Sequence, residues 1–117
     1  MKWFEFTQNN SGGRFIVDDK VCHRLLIEAE SFNDAVKKAE ELGCYWDGVA
    51  KGIDCPCCGD RWVTWDEEPI DLEFYKTEGC NTIEEYAQYL ANNYAWTTPD
   101  IRIYYNDGVV KEIFKEK

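Results

Sequence analysis

Apolar residues at Phe32, Ala35, Val36, Ala39 and Leu42 recur at spacings of three and four, the period that gathers side chains on one side of an α-helix. Ser31 stands before the run as an N-cap and Gly43 after it as a stop, so the pattern predicts a helix between them. A second stripe, Ile83, Tyr86, Ala87, Leu90 and Tyr94, follows Thr82-Ile83-Glu84-Glu85. That tetrad is a capping box, with Glu85 placed to reach back to the Thr82 amide, and the helix is expected to end before Pro99.

Elsewhere the period falls to two. Trp3 to Thr7 alternates, and Val21 to Ala29 sets Val21, Leu25 and Ile27 against Arg24 and Glu28, both as strands do. Between them lies the polar turn cluster Gln8 to Gly13, after which Arg14 to Val17 returns as a partner strand or a loop. Cys44-Tyr45-Trp46 and Arg61 to Trp65 are expected to be extended, on either side of a loop from Asp47 to Gly59. The acidic stretch Asp66 to Glu73, with Pro69 inside it, is an exposed connection. Ile101 to Tyr105 and Val109 to Phe114 flank Asn106-Asp107-Gly108, a hairpin turn because Asp-Gly supplies positive φ. No repeat or linker divides residues 1–117, so a single domain is expected. The order ββαββαββ predicts an α+β fold, a mostly antiparallel sheet with two helices packed on it.

Composition narrows the function classes. Thirteen basic against 23 acidic residues give a formal charge of −10, which opposes direct binding to a nucleic-acid backbone. No apolar run has the length of a membrane span, so the expected setting is cytoplasmic and the cysteines are thiols or metal ligands before they are disulfides. Five Trp, seven Tyr and six Phe exceed what a core of this size readily hides, and such rings line interfaces or stack on flat ligands.

The densest chemistry is Asp54-Cys55-Pro56-Cys57-Cys58-Gly59-Asp60-Arg61-Trp62. Cys55 and Cys58 have the spacing of two thiolates that face one zinc ion, and a structural zinc is the cofactor this pattern allows. A second Cys-x-x-Cys is missing; Cys44 and His23 are the candidates to complete the ligand set, while Cys22 and Cys80 are small hydrophobes. Cys55-Pro56-Cys57-Cys58 also has the spacing of a thiol oxidoreductase site, but the strand-like residues after it offer no helix to activate the thiol, so a redox enzyme is disfavoured. Arg61 is a candidate clamp for a phosphate or carboxylate, with Arg14 as a second cation and Tyr45, Trp46 and Trp62 as stacking surfaces. As a surface clamp, Arg61 would be removable without opening the core. One His, with neither Gly-x-Ser-x-Gly nor His-Glu-x-x-His, leaves the standard hydrolase patterns unmet.

Three segments, Trp3 to Phe15, Ile27-Glu28-Ala29-Glu30-Ser31, and Tyr45-Trp46-Asp47-Gly48-Val49 followed by Cys55 to Trp62, resemble a family of small uncharacterised proteins of tailed bacteriophages. The resemblance covers about the first half of the chain and implies a phage origin and the cytoplasm of an infected host cell. With the absence of enzyme motifs, it leads to the expectation of a non-enzymatic accessory protein, a binding module that inhibits a host process such as antiviral defence. Its partner is then a host protein. The alternatives are a sponge that sequesters a phosphorylated, nucleotide-like small molecule, and a small zinc-knuckle interaction protein.

Overall fold

The structure, a computed structural model, describes residues 1–63 and 67–116. Thr64 and Trp65 of the expected strand, Asp66 of the acidic stretch, and Lys117 lie outside the described residues. The fold is α+β, with a five-stranded mixed sheet and three α-helices. The strands are β1 (Lys2–Gln8), β2 (Arg24–Ala29), β3 (Trp62–Val63), β4 (Ile101–Tyr104) and β5 (Val110–Ile113). The helices are α1 (Phe32–Leu42), α2 (Leu72–Tyr75) and α3 (Ile83–Tyr94). Among the described residues no helix is long and apolar enough to cross a membrane.

The sheet order is β3-β1-β2-β4-β5. β1 runs antiparallel to β2 and β3, and β4 to β5, but the central pair β2–β4 is parallel, Arg24 opposite Ile101 and Ile27 opposite Tyr104. This corrects the expected order in two places: Cys44 to Trp46 form no strand, and α2 is an additional helix in the acidic connection, while Arg14 to Val17 takes the loop alternative.

Both faces of the sheet are covered. Phe4, Phe6, Leu25 and Ile27 pack with Ala35 and Ala39 of α1 on one side. Leu26, Ile101 and Ile103 pack with Ile83, Tyr86, Ala87, Leu90 and Ala91 of α3 on the other. Leu26 is therefore as buried as Leu25 and Ile27, and each such side chain contributes on the order of 1.5–3 kcal/mol. The predicted helices form where their stripes and caps place them. Ser31 Oγ accepts from the Asp34 amide at 3.2 Å and Thr82 Oγ1 from the Glu85 amide at 3.1 Å. Two details differ. Glu85 Oε1 accepts from the Thr82 hydroxyl, 3.3 Å away, rather than from its amide. Tyr94 is half exposed at 52%, because Ala91 takes the inward position of the last turn.

Asp100 ties the start of β4 to the start of β2. Its carboxylate is fully buried. Oδ1 faces His23 Nδ1 at 2.9 Å and accepts from the Trp96 amide at 2.9 Å, while Oδ2 accepts from Arg24 at 3.1 Å. Burial pushes its pKa up, but His23 and the amides of Trp96 and Thr97 outweigh that, and the net direction is below 3.8. Asp100→Asn is expected to lower stability at neutral pH by roughly 3–5 kcal/mol, the cost of breaking a buried charge pair. The depressed native pKa makes this contribution full above the unfolded value of 3.8 and lost as pH falls through the native one. Urea melts of both proteins across acidic pH should therefore converge at the acid end.

Candidate functional site

The loop between α1 and β3 is organised by two carboxylates and one buried guanidinium. Gly48 lies so close to Asp54 that a Cβ there would sit 1.9 Å from Oδ2, and its carbonyl accepts from the amides of Ile53 and Asp54 at 2.8 and 3.0 Å. Asp54, itself buried, accepts from the Tyr45 hydroxyl at 2.6 Å and from the Arg61 amide at 2.7 Å. Asp60 accepts from the Val49 amide at 2.9 Å, and its carbonyl accepts from the Asn9 side chain. Burial, and then the hydrogen bond to Asp54, push the Tyr45 phenol up.

Arg61 is 6% exposed. Its guanidinium donates to the carbonyls of Ser11 and Arg14, each at 2.7 Å, and to the Tyr45 hydroxyl at 3.2 Å, with Gln8 Oε1 at 3.5 Å and Asp54 Oδ1 at 3.7 Å. The fork is thus filled by the protein's own oxygens, and holding a phosphate would mean giving these up. Arg14 joins the group through its carbonyl, while its side chain is exposed. Trp62 is buried against the α1 face of the sheet. Trp46 packs on Phe6 with ring centroids 5.7 Å apart, and its indole Nε1 is buried with no hydrogen-bond partner among the described residues. Of the predicted ligand-binding residues, Tyr45 and Arg61 meet through their side chains and Arg14 joins them only by its carbonyl, while Trp46 and Trp62 belong to the apolar cluster on the α1 side.

On this base stands the cysteine turn. The carbonyl of Cys55 accepts from the amides of Cys58 and Gly59 at 3.1 and 3.0 Å, and Gly59 closes the turn at φ +86°. The Cys55 amide donates to Ser11 Oγ at 3.0 Å, fixing the turn to the Ser11–Gly13 single-turn helix. Cys57 and Cys58 are exposed and Cys55 partly so. The amides of Cys57 and then Cys58 donate to the Cys55 sulfur and hold its pKa below 9.0. A helix N-terminus is the usual source of such an effect; here the turn's own backbone supplies it.

The other predicted metal ligands lie elsewhere. Cys44 is buried, and burial pushes its thiol up to about 12. His23 is buried, held by Asp100 and packed edge-on against Phe15 at 5.0 Å. Among the described residues no group of three or more His, Cys, Asp or Glu side chains converges as a metal site.

Residues 1–117, the full chain, match the family described as Domain of unknown function (DUF7296). The chain belongs to this family. Nothing among curated proteins or solved structures matches it.

Two open clefts lie apart from the cysteine turn, the second of them including His23. One of about 520 Å³ is lined by Glu5, Glu68, Asp71, Phe74, Tyr75 and Tyr86 among others. Another of about 370 Å³ includes Glu5, Phe15, His23, Arg24 and Trp96. Glu5 carried a signal in the alternation of β1, as an acid on a strand whose neighbours Phe4 and Phe6 are core; nothing in the sequence pointed from it to Tyr86.

Two substitutions test the loop. Arg61→Ala should cost roughly 3–5 kcal/mol in a urea melt, since Asp54 and two carbonyls lose a buried cation; a fold left intact would return Arg61 to a surface role. Gly48→Ala should also destabilise, by about 1–3 kcal/mol as overpacking does, with a lower melting temperature by circular dichroism.

Proposed function

We propose that this chain is a non-enzymatic binding module that grips a basic patch of a protein partner in the acidic, aromatic cleft beside α2. The observation that carries the reading is the make-up of that cleft: carboxylates of Glu5, Glu68 and Asp71 beside the rings of Phe74, Tyr75 and Tyr86, with no basic side chain in its lining among the described residues. Tyr86 donates to Glu5 at 2.7 Å and so orients that carboxylate. Burial, and then the Glu5 charge, push the Tyr86 phenol up, keeping it protonated as a donor. Tyr75 packs on Tyr86 at 4.6 Å and Phe74 on Tyr75 at 5.2 Å, with Phe74 63% exposed. A Lys or Arg stem can lie along such rings while its charged head meets the carboxylates. The formal charge of −10 adds long-range attraction toward a basic surface.

On the resemblance of the first half to tailed-phage proteins, the partner is a host protein, and occupying its basic surface inhibits the process it serves, antiviral defence being one such process. The site is built for contact. Reversing Glu67, Glu68 and Asp71 to Lys should slow association with the partner captured from bacterial lysate, flatten its salt dependence, and weaken affinity roughly tenfold or more. Phe74→Ala should speed dissociation. A partner that binds the reversed variant equally well, or calorimetric heat only with nucleotides, would overturn the reading.

A further inference from the structure

We propose that the cleft where β1 ends and β2 begins, the one that includes His23 and Trp96, binds an uncharged nucleobase, free or as its nucleoside. Its aromatic wall is a continuous stack. Trp96 lies nearly parallel to Phe15, with ring centroids 5.9 Å apart and planes inclined by 27°, and Phe15 meets His23 edge-on at 5.0 Å. Trp96 is 69% exposed, whereas Trp62 is buried. A large ring left in water at the mouth of a cleft is a platform for another flat ring.

The polar wall follows from the register of the sheet. Thr7 lies opposite Arg24, and Glu5, two positions back along β1, shares the face of Thr7. Diagonal neighbours of this kind are about 7–8 Å apart, so a carboxylate acceptor and a guanidinium donor border one small patch. The Glu5 carboxylate is oriented by the Tyr86 hydroxyl at 2.7 Å and the Thr7 hydroxyl at 3.1 Å, and a carboxylate has room for further donors. Arg24 commits Nη1 to Asp100 and has Nε and Nη2 with which to donate. Asp100 accepts from Arg24 and from the amides of Trp96 and Thr97, so it is an acceptor toward His23 Nδ1 as well. In the neutral ring Nδ1 is then the protonated nitrogen, and Nε2 is the one that accepts from a ligand.

These charges select the ligand. Arg24 opposes a cation, Glu5 opposes an anion, and the formal charge of −10 opposes a phosphate at longer range. A neutral flat molecule with donors and acceptors along one edge meets all three conditions, and a nucleobase is such a molecule. Among the described lining residues this cleft shares only Glu5 with the acidic one, and the proposal does not depend on a protein partner there.

The test is calorimetry of the full chain with adenosine, guanosine, cytidine and uridine, each beside its monophosphate and a single-stranded oligonucleotide. At least one nucleoside should bind, roughly tenfold tighter than its monophosphate or the same base in the oligonucleotide. Trp96→Ala should weaken that binding roughly tenfold with an unchanged melting curve, and Trp96→Phe should restore part of it. His23 is the only histidine, so nitrogen NMR of the natural chain reads its ring directly: Nε2 should shift at saturation while Nδ1 holds. Glu68→Lys with Asp71→Lys should leave nucleoside binding as it is and weaken only the protein partner, so the two sites fail separately. No heat with any nucleoside, a monophosphate or oligonucleotide that binds as tightly, full affinity in Trp96→Ala, or an unmoved Nε2 would overturn the proposal.

Discussion

A buried guanidinium is tolerated only where oxygens meet it from several directions, and Arg61 meets that condition by drawing together three separate parts of the chain. Gln8 comes from β1, Ser11 and Arg14 from the loop that follows it, Tyr45 and Asp54 from the loop after α1. Two of its acceptors are backbone carbonyls, those of Ser11 and Arg14. The loops have little regular structure of their own, so the cation does for them what ladder hydrogen bonds do for the sheet. The short pairing of β1 with β3 through Thr7 and Gln8 and the position of the cysteine turn both follow from where Arg61 is held.

The contrast between the inside of these loops and their tip gives the region its character. Charged and polar side chains, ordinarily on the surface, are turned inward at Asp54 and Arg61. The thiols of Cys57 and Cys58 and the apolar Ile53 are turned outward. Such an inversion costs desolvation energy that hydrogen bonds have to offset, which makes the presented turn the feature the loop is arranged around.

How much of this was legible in the sequence depends on the range of the interaction. The two long helices are local objects, written in their stripes and in Ser31 and Thr82, and they form as the pattern predicts. The inward set of the last α3 turn was not, since Ala91 and Tyr94 both fit the period and packing space beneath the helix chooses between them. Arg24-Leu25-Leu26-Ile27 reads as alternation if Leu26 is ignored; taken as a continuous apolar run it signals burial on both faces, as parallel strands require. In the loop, Tyr45, Arg61 and Trp62 were recognised as a group, but their direction was not readable. An Arg beside a Trp looks like a recognition surface until the carbonyls of residues 11 and 14 are known to close over it.

The parallel pairing of β2 with β4 joins residues 24–27 to residues 101–104, and α3, which covers the far side of β2, lies at 83–94. During synthesis, therefore, β2 emerges long before either its neighbour or its cover exists. Leu26 has nothing to pack against until nearly the whole chain has left the ribosome, and β1 with β2 and α1 make a two-layer fragment with one bare apolar face. Contacts of such long sequence separation slow folding and leave nascent chains open to association. Tyr86 bridging to Glu5, 81 positions apart, closes that bare face from the other end, so the last third of the molecule acts as the lid that makes the first third a stable object.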